Sequence, residues 1–280
     1  MKTNERIFAR MKSHNTLLCG GLDPDLKKIP LEILEKKISD EDKVLVFLRT
    51  VVDITAPHVC VYKPQKAFFD KLDGGHNVLR DIIDYIHTSH QGIPVVVDCK
   101  IGDTKNTMEA YIENIFDSLK ADGIVANPYM GDDPIMPLAE LTDKTIVVLV
   151  KTSNPSGSIV QDVLLANGQP LWRYMLDTVI NRWNFNGNMV PILSATAGTN
   201  LTEIRPIIPD SMPVLFAGVG AQGGSYENLH DLLNSDNIGV FVNSSRDILY
   251  PPQSQQPWRV AIEQVTIELK NALNKKRRLQ

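Results

Sequence analysis

Two aspartates and a lysine stand where an apolar run ends. The stretch "VVVDCKIGDTKNT", residues 95–107, passes from three valines into Asp98, Lys100 and Asp103. In extended chain, residues two apart share a face, so Asp98 and Lys100 are expected to point one way and Cys99 the other. Asp103, three residues on, is placed to turn back toward the lysine. Carboxylates on both sides favour the ammonium form against the desolvation that opposes it. Lys100 is therefore suited to donate a proton, not to form a Schiff base, which needs an unprotonated amine. The bland alternative is a solvated ion-pair loop. Lys63, at the end of a second apolar run, "VCVYKPQ", continues the alternation of charge and favours chemistry.

A second group suits an anion. "GVGAQGG" (218–224) can aim several backbone N–H groups at one point, and "VNSSRDIL" (242–249) adds the guanidinium fork of Arg246. Gly220, Gln222, Ser245 and Arg246 are the candidates there. Glycine-rich loops often serve only tight turns, but two such segments follow the last two apolar runs, where barrels commonly hold phosphate. Asp23 in "GLDPD" could meet sugar hydroxyls or merely cap a turn. Gln65 ends the Lys63 run, and Ser153 in "KTSNPSG" could hydrogen-bond a heterocycle or satisfy backbone. His87 and His90 have metal-ligand spacing but no further ligand, which favours a solvated helix face. Cys19, Cys60 and Cys99 lie in apolar segments without a C-x-x-C pair, so buried reduced thiols are expected.

Short apolar runs must position these residues, and there are eight. They lie near 17–23, 59–65, 94–100, 123–129, 145–153, 189–196, 213–220 and 239–246. Each is brief, rich in valine and isoleucine, and nearly continuous in hydrophobicity, as strands buried on both faces are. Between them, "EDKVLVFLRTVVDITA", "NVLRDIIDYIHTSH", "KNTMEAYIENIFDSLKA" and "DDPIMPLAEL" have helical spacing. Asp40 is the expected N-cap of the first, and Gly123 the stop after the third. Eight alternating units predict a single α/β domain over 1–280, a (β/α)8 TIM barrel. An open doubly wound sheet would need a G-x-G-x-x-G after its first strand, and "GGLDPDL" is not one. In a barrel, the candidates all fall at the C-terminal strand ends, with Asn127, Asn154 and Thr196 beside them, and the opposite ends read as bland.

Composition narrows the partners. The chain has 280 residues, 43% hydrophobic and 22% charged, with a formal net charge of −4 and a pI near 5.9. That balance offers no basic footprint for nucleic acid. No run reaches the roughly 18 apolar residues of a membrane span. The charged N-terminal segment lacks the apolar stretch of a secretory signal, which predicts a cytosolic protein. The basic "NKKRRLQ" at the end is expected to fray into solvent.

Taken in order, "LCGGLDPD", "VYKPQKAFFD", "DCKIGDTKNT", "VKTSNPSG", "GVGAQGG" and "VNSSRDILY" resemble the second subfamily of orotidine 5′-phosphate decarboxylases, over residues 17–250. The D-x-K-x-x-D core is the most specific element. The resemblance implies loss of CO2 from orotidine 5′-monophosphate to give UMP, the last step of de novo pyrimidine synthesis, without metal or organic cofactor. It implies Lys100 as proton donor to C6, Asp98 and Asp103 beside the departing carboxylate, and Lys63 completing the array. Asp23 and Thr107 would lie at the ribose, Ser153 at the pyrimidine, and Gln222 and Arg246 at the phosphate. It also implies a homodimer whose active sites share the loop after the third strand. The chain departs from the family's usual pattern at Thr104 and Lys105, at Ala217 and in "SATAGT". Two other readings stand beside this one: a Mg2+-dependent sugar-phosphate aldolase or decarboxylase on a related barrel, and a non-catalytic nucleotide-binding barrel. The first would need a carboxylate-rich metal site, and the second gains little from charges so costly to desolvate.

Overall fold

The computed structural model describes residues 1–194, 200–218, 227–252 and 256–277. Its strands are β1 (Leu18–Leu22), β2 (Val61–Pro64), β3 (Val96–Ile101), β4 (Gly123–Ala126), β5 (Thr145–Leu149), β6 (Met189–Ser194), β7 (Val214–Ala217) and β8 (Val240–Ser244). They pair in parallel in the order β2-β1-β8-β7-β6-β5-β4-β3. Bridges between Tyr62 and Val95 and between Gln65 and Asp98 bring β2 to β3, so the sheet curls into a nearly closed ring. The expected (β/α)8 barrel is the fold. Most strands stop short of the residues expected, because the polar ends leave the ladder for loops at the mouth.

The helices bury the faces their spacing marks. Asp40–Thr55 packs Val44, Phe47, Leu48, Val51 and Val52 inward, and Gly75–Ser89 packs Val78, Leu79, Ile82, Ile83 and Ile86. Two boundary expectations need correction. Ser39, not Asp40, caps the first helix, its side chain accepting from the Asp42 N–H. Asp40 occupies the first turn, where its charge complements the helix dipole. Gly123 does not stop the helix over 105–118; the left-handed residue there is Lys120, at φ 56°. Gly123 instead opens β4, where a Cβ would come within 2.5 Å of the Thr145 carbonyl oxygen.

The N-terminal ends of the strands are not bland. A helix over Thr3–Ser13 crosses them, with Thr3 donating to the Asp143 carbonyl and Arg10 to those of Ala56 and Val59. Buried Asp122 accepts from Arg6 (2.5 Å), pairs with His87 (2.8 Å) and accepts from the Val95 N–H (2.8 Å). Burial pushes its carboxyl up, but His87 and Arg6 more than offset that and hold it below the usual range. His90 likewise pairs with Asp53. Both histidines thus serve carboxylates, where the sequence suggested a solvated face. The basic C-terminal stretch is helical as far as Arg277, with Lys276 paired to Glu227, and not frayed there. Among the described residues, no helix is long and apolar enough to cross a membrane.

Candidate active site

A cavity of about 520 Å³ opens at the C-terminal ends of the strands, a size typical of small-molecule sites. Its charged part comes from β2 and β3. Lys63 donates to one oxygen of Asp98 at 2.6 Å, and Lys100 donates to the other at 2.6 Å. The side chains of Lys63 and Asp98 are each 7% exposed, whereas that of Lys100 is 45% exposed and free to reach a bound molecule. Burial drags the Lys63 ammonium down, yet Asp98 and Asp23 together outweigh it and raise its pKa. Burial raises Asp98, but the two lysines overcome it and hold the carboxyl below its ordinary value. The array is therefore a fixed carboxylate between two cations.

Simple alternation does not deliver Lys100 to this point. The pairing of β3 with β4 slips between Asp98 and Ile101, a bulge that Lys100 occupies at φ 49°. A lysine in the left-handed region costs about 1 kcal/mol or more, and such bulges characteristically re-aim a side chain beside a site. Cys99 faces outward as expected, against the carbonyls of Val97 and Val125. Burial pushes the Cys19 and Cys99 thiols up to about 12, and Cys60 also rises, so none is poised as a nucleophile.

Asp23, after β1, and Ser245, after β8, face the same cavity. Asp23 Oδ1 and Ser245 Oγ are buried beside one another, and neither has a hydrogen bond of good geometry among the described residues. Burial raises the Asp23 carboxyl, opposed by Lys63 and by the adjacent Ser245 hydroxyl. Buried polar atoms of this kind call for a ligand that supplies the missing bonds. The two segments meet closely because residue 21 is glycine: a Cβ there would lie 2.6 Å from that of Ser245. Arg246 stands exposed at the rim on the same side. Other walls include Leu149, Ile192 and Leu215, which are apolar, and the segment carrying Thr152, Ser153 and Asn154.

This cavity combines a lysine–carboxylate–lysine array, an apolar wall and an arginine rim, and residues 16–259 match the orotidine 5′-phosphate decarboxylase / HUMPS family. The chain belongs to this family. The orotidine 5′-phosphate decarboxylase of Cupriavidus metallidurans is 36% identical over 278 residues, 99% of each chain. In structure, the Leishmania donovani OMP decarboxylase superposes with a TM-score of 0.82 at 28% identity, covering 99% of both chains. The orotidine 5′-monophosphate decarboxylase of Methanocaldococcus jannaschii, complexed with the inhibitor BMP, shares the fold with a TM-score of 0.64 at 22% identity.

Of the candidate residues named from the sequence, the fold gathers Lys63, Gln65, Asp98, Lys100, Asp23, Ser153, Ser245 and Arg246 around one cavity. Asp103 and Thr107 are not among its lining residues. The Asp103 carboxylate does not turn back to Lys100 within its own chain; it accepts from the Thr104 N–H at 2.7 Å. Thr107 is exposed on the first turn of the helix over Lys105–Ile112. Thr196, Gly220 and Gln222 lie outside the described residues. Sequence reasoning passed over Asn243 and Asp247, which line the cavity although they stood inside a motif already marked. It also missed Gln161, whose contact is made across a loop and left no local pattern, and Tyr250, whose hydroxyl accepts from the Asp25 N–H at 2.6 Å and steadies the segment after Asp23.

Proposed function

We propose that this chain decarboxylates orotidine 5′-monophosphate to UMP and CO2, with Lys100 delivering the proton to C6. The observation that carries the reading is the Lys63–Asp98–Lys100 array at the edge of an apolar-walled cavity. Breaking the C6–carboxylate bond leaves its electron pair on C6, with no electron sink in the ring. A preformed ammonium beside C6 stabilises that charge as it develops, and does so without reorganising solvent. The Lys100 N–H proton then passes to C6, and the neutral amine regains a proton from water after release. Asp98 accepts from Lys100 and keeps the ammonium aimed, while Lys63 keeps Asp98 ionised. The Asp23 carboxylate and Ser245 hydroxyl would take up ribose and phosphate contacts, Ser153 the pyrimidine, and Arg246 the phosphate, with Gln65 beside the array.

The rival Mg2+ chemistry is disfavoured by the same array. Both oxygens of Asp98 already accept from ammonium groups at 2.6 Å, so a dication there would face two cations. The test is loss of orotidylate absorbance with purified protein before and after prolonged dialysis against EDTA. Equal rates are expected; loss restored by Mg2+ would favour the rival, and no loss in either sample would remove the decarboxylase reading.

Arg246→Ala should weaken binding of UMP and also lower kcat/KM, by about 100-fold, because phosphate binding energy is used at the transition state. Steady-state kinetics check this. A variant with kcat/KM within a few fold of the native value would contradict it.

The working unit in this reading is a cytosolic homodimer with shared sites, of the second subfamily, in which Asp103 and Thr107 enter the partner's cavity. Three features support it. Asp103 accepts from the Thr104 N–H, and Lys100 of its own chain pairs with Asp98 instead. Residues Thr104–Thr107 are exposed beside the mouth. The segments after β4 and β5 expose apolar side chains on the same end of the barrel, including Tyr129 at 80%, Ile159 at 74% and Leu164 at 68%, which a partner subunit could cover.

A further inference from the structure

Lys151 is a buried cation that the chemistry above does not use. It follows β5, its side chain is 3% exposed, and its ammonium donates to Asp162 at 2.5 Å. Its backbone N–H donates to the carbonyl of Ile192, a residue of the apolar wall. The neighbouring pair closes in the same way. Gln161 accepts from the Thr152 N–H at 3.0 Å and donates to the Thr152 hydroxyl at 2.7 Å, which in turn donates to Asn154 at 2.6 Å. Residues 151–152 are thus joined side by side to residues 161–162, and the segment between them is fastened at its base. Ser153 and Asn154 sit directly on that base, and both line the cavity.

The Asp162 side chain is 45% exposed, so only the lysine is buried. A pair of this kind is poor at stabilising a fold, because desolvating the lysine costs about as much as the pair returns. What such a pair does well is hold one geometry. We propose that Lys151, Asp162 and Gln161 form a latch that positions the Ser153 segment against the base of the nucleotide. They are positioning residues for recognition of the heterocycle, with no role at the phosphate. The inference rests on the decarboxylase reading, which assigns Ser153 to the pyrimidine and Arg246 to the phosphate.

The test compares two ligands by calorimetry: UMP, which carries a base, and ribose 5-phosphate, which does not. Asp162→Ala should raise the Kd for UMP by about tenfold and leave that for ribose 5-phosphate within about twofold of the native value. Asp162→Glu, which keeps the charge, should recover part of the loss. Because Asp162→Ala strands a buried ammonium, a Lys151→Met/Asp162→Ala double variant serves as a second probe that leaves no orphan charge. It too should lose UMP affinity selectively. A double variant that binds UMP as the native chain does, or one that loses both ligands in parallel, makes the pair merely structural and overturns the proposal. A native chain that binds ribose 5-phosphate but not UMP removes the decarboxylase reading itself, and the latch with it; a latch failure differs in that native UMP binding persists.

Discussion

Lys100→Ala is expected to lower kcat/KM for orotidine 5′-monophosphate by about 10⁴-fold or more, since one change removes both the proton donor and the cation facing the developing carbanion. Folding should be little affected. The Lys100 side chain is 45% exposed, and alanine at φ 49° is no more strained than lysine. Asp98 would still accept from Lys63, so the variant leaves no unpaired buried charge. Kinetics together with a thermal melt check both halves of this expectation. A well-folded variant retaining a tenth of native activity would sink the assignment of Lys100.

The second large effect concerns the shared site. Asp103→Ala alone should leave turnover reduced by about 10²-fold or more, because the carboxylate expected beside the departing CO2 is lost. Mixing it with Lys100→Ala chains should restore activity. If Asp103 serves the partner's cavity, one pocket of a mixed dimer collects both defects and the other collects neither. With random exchange about half the dimers are mixed, so about a quarter of all sites should recover, as two-fold symmetry requires. The measurement is activity after denaturing and refolding equimolar variants together, with dimer exchange followed by mass. Confirmed exchange without recovery would show that Asp103 acts within its own chain.

The fold was legible because valine and isoleucine runs of strand length recur eight times, and nothing local contradicts them. The charged array was legible for a related reason: Asp98, Lys100 and Lys63 lie at or beside the C-terminal ends of two neighbouring strands, where barrel geometry gathers side chains at the mouth. It is the bulge, however, and not period-two spacing, that aims Lys100. What the sequence did not reveal depends on backbone departures or on distant pairing. The bulge at Lys100 has no residue signature, since neither glycine nor proline marks it. Asp103 leaves β3 for a loop whose direction no period encodes, so its failure to return to Lys100 could not be read. Lys151 was hidden in a motif read for its serine, because its burial depends on Asp162 across the loop. The Asp122 cluster was hidden because Arg6 and His87 come from helices far apart in the chain.

The central claim, that Lys100 protonates C6 as CO2 departs, is tested most directly by running the reaction in D2O and examining the product by NMR. The Lys100 ammonium exchanges its protons with solvent, so native protein should convert orotidine 5′-monophosphate to UMP carrying deuterium at C6, with one CO2 released per turnover. Lys100→Ala should yield almost none. Unchanged substrate with native protein, or deuterated UMP formed equally fast by the variant, would contradict the account.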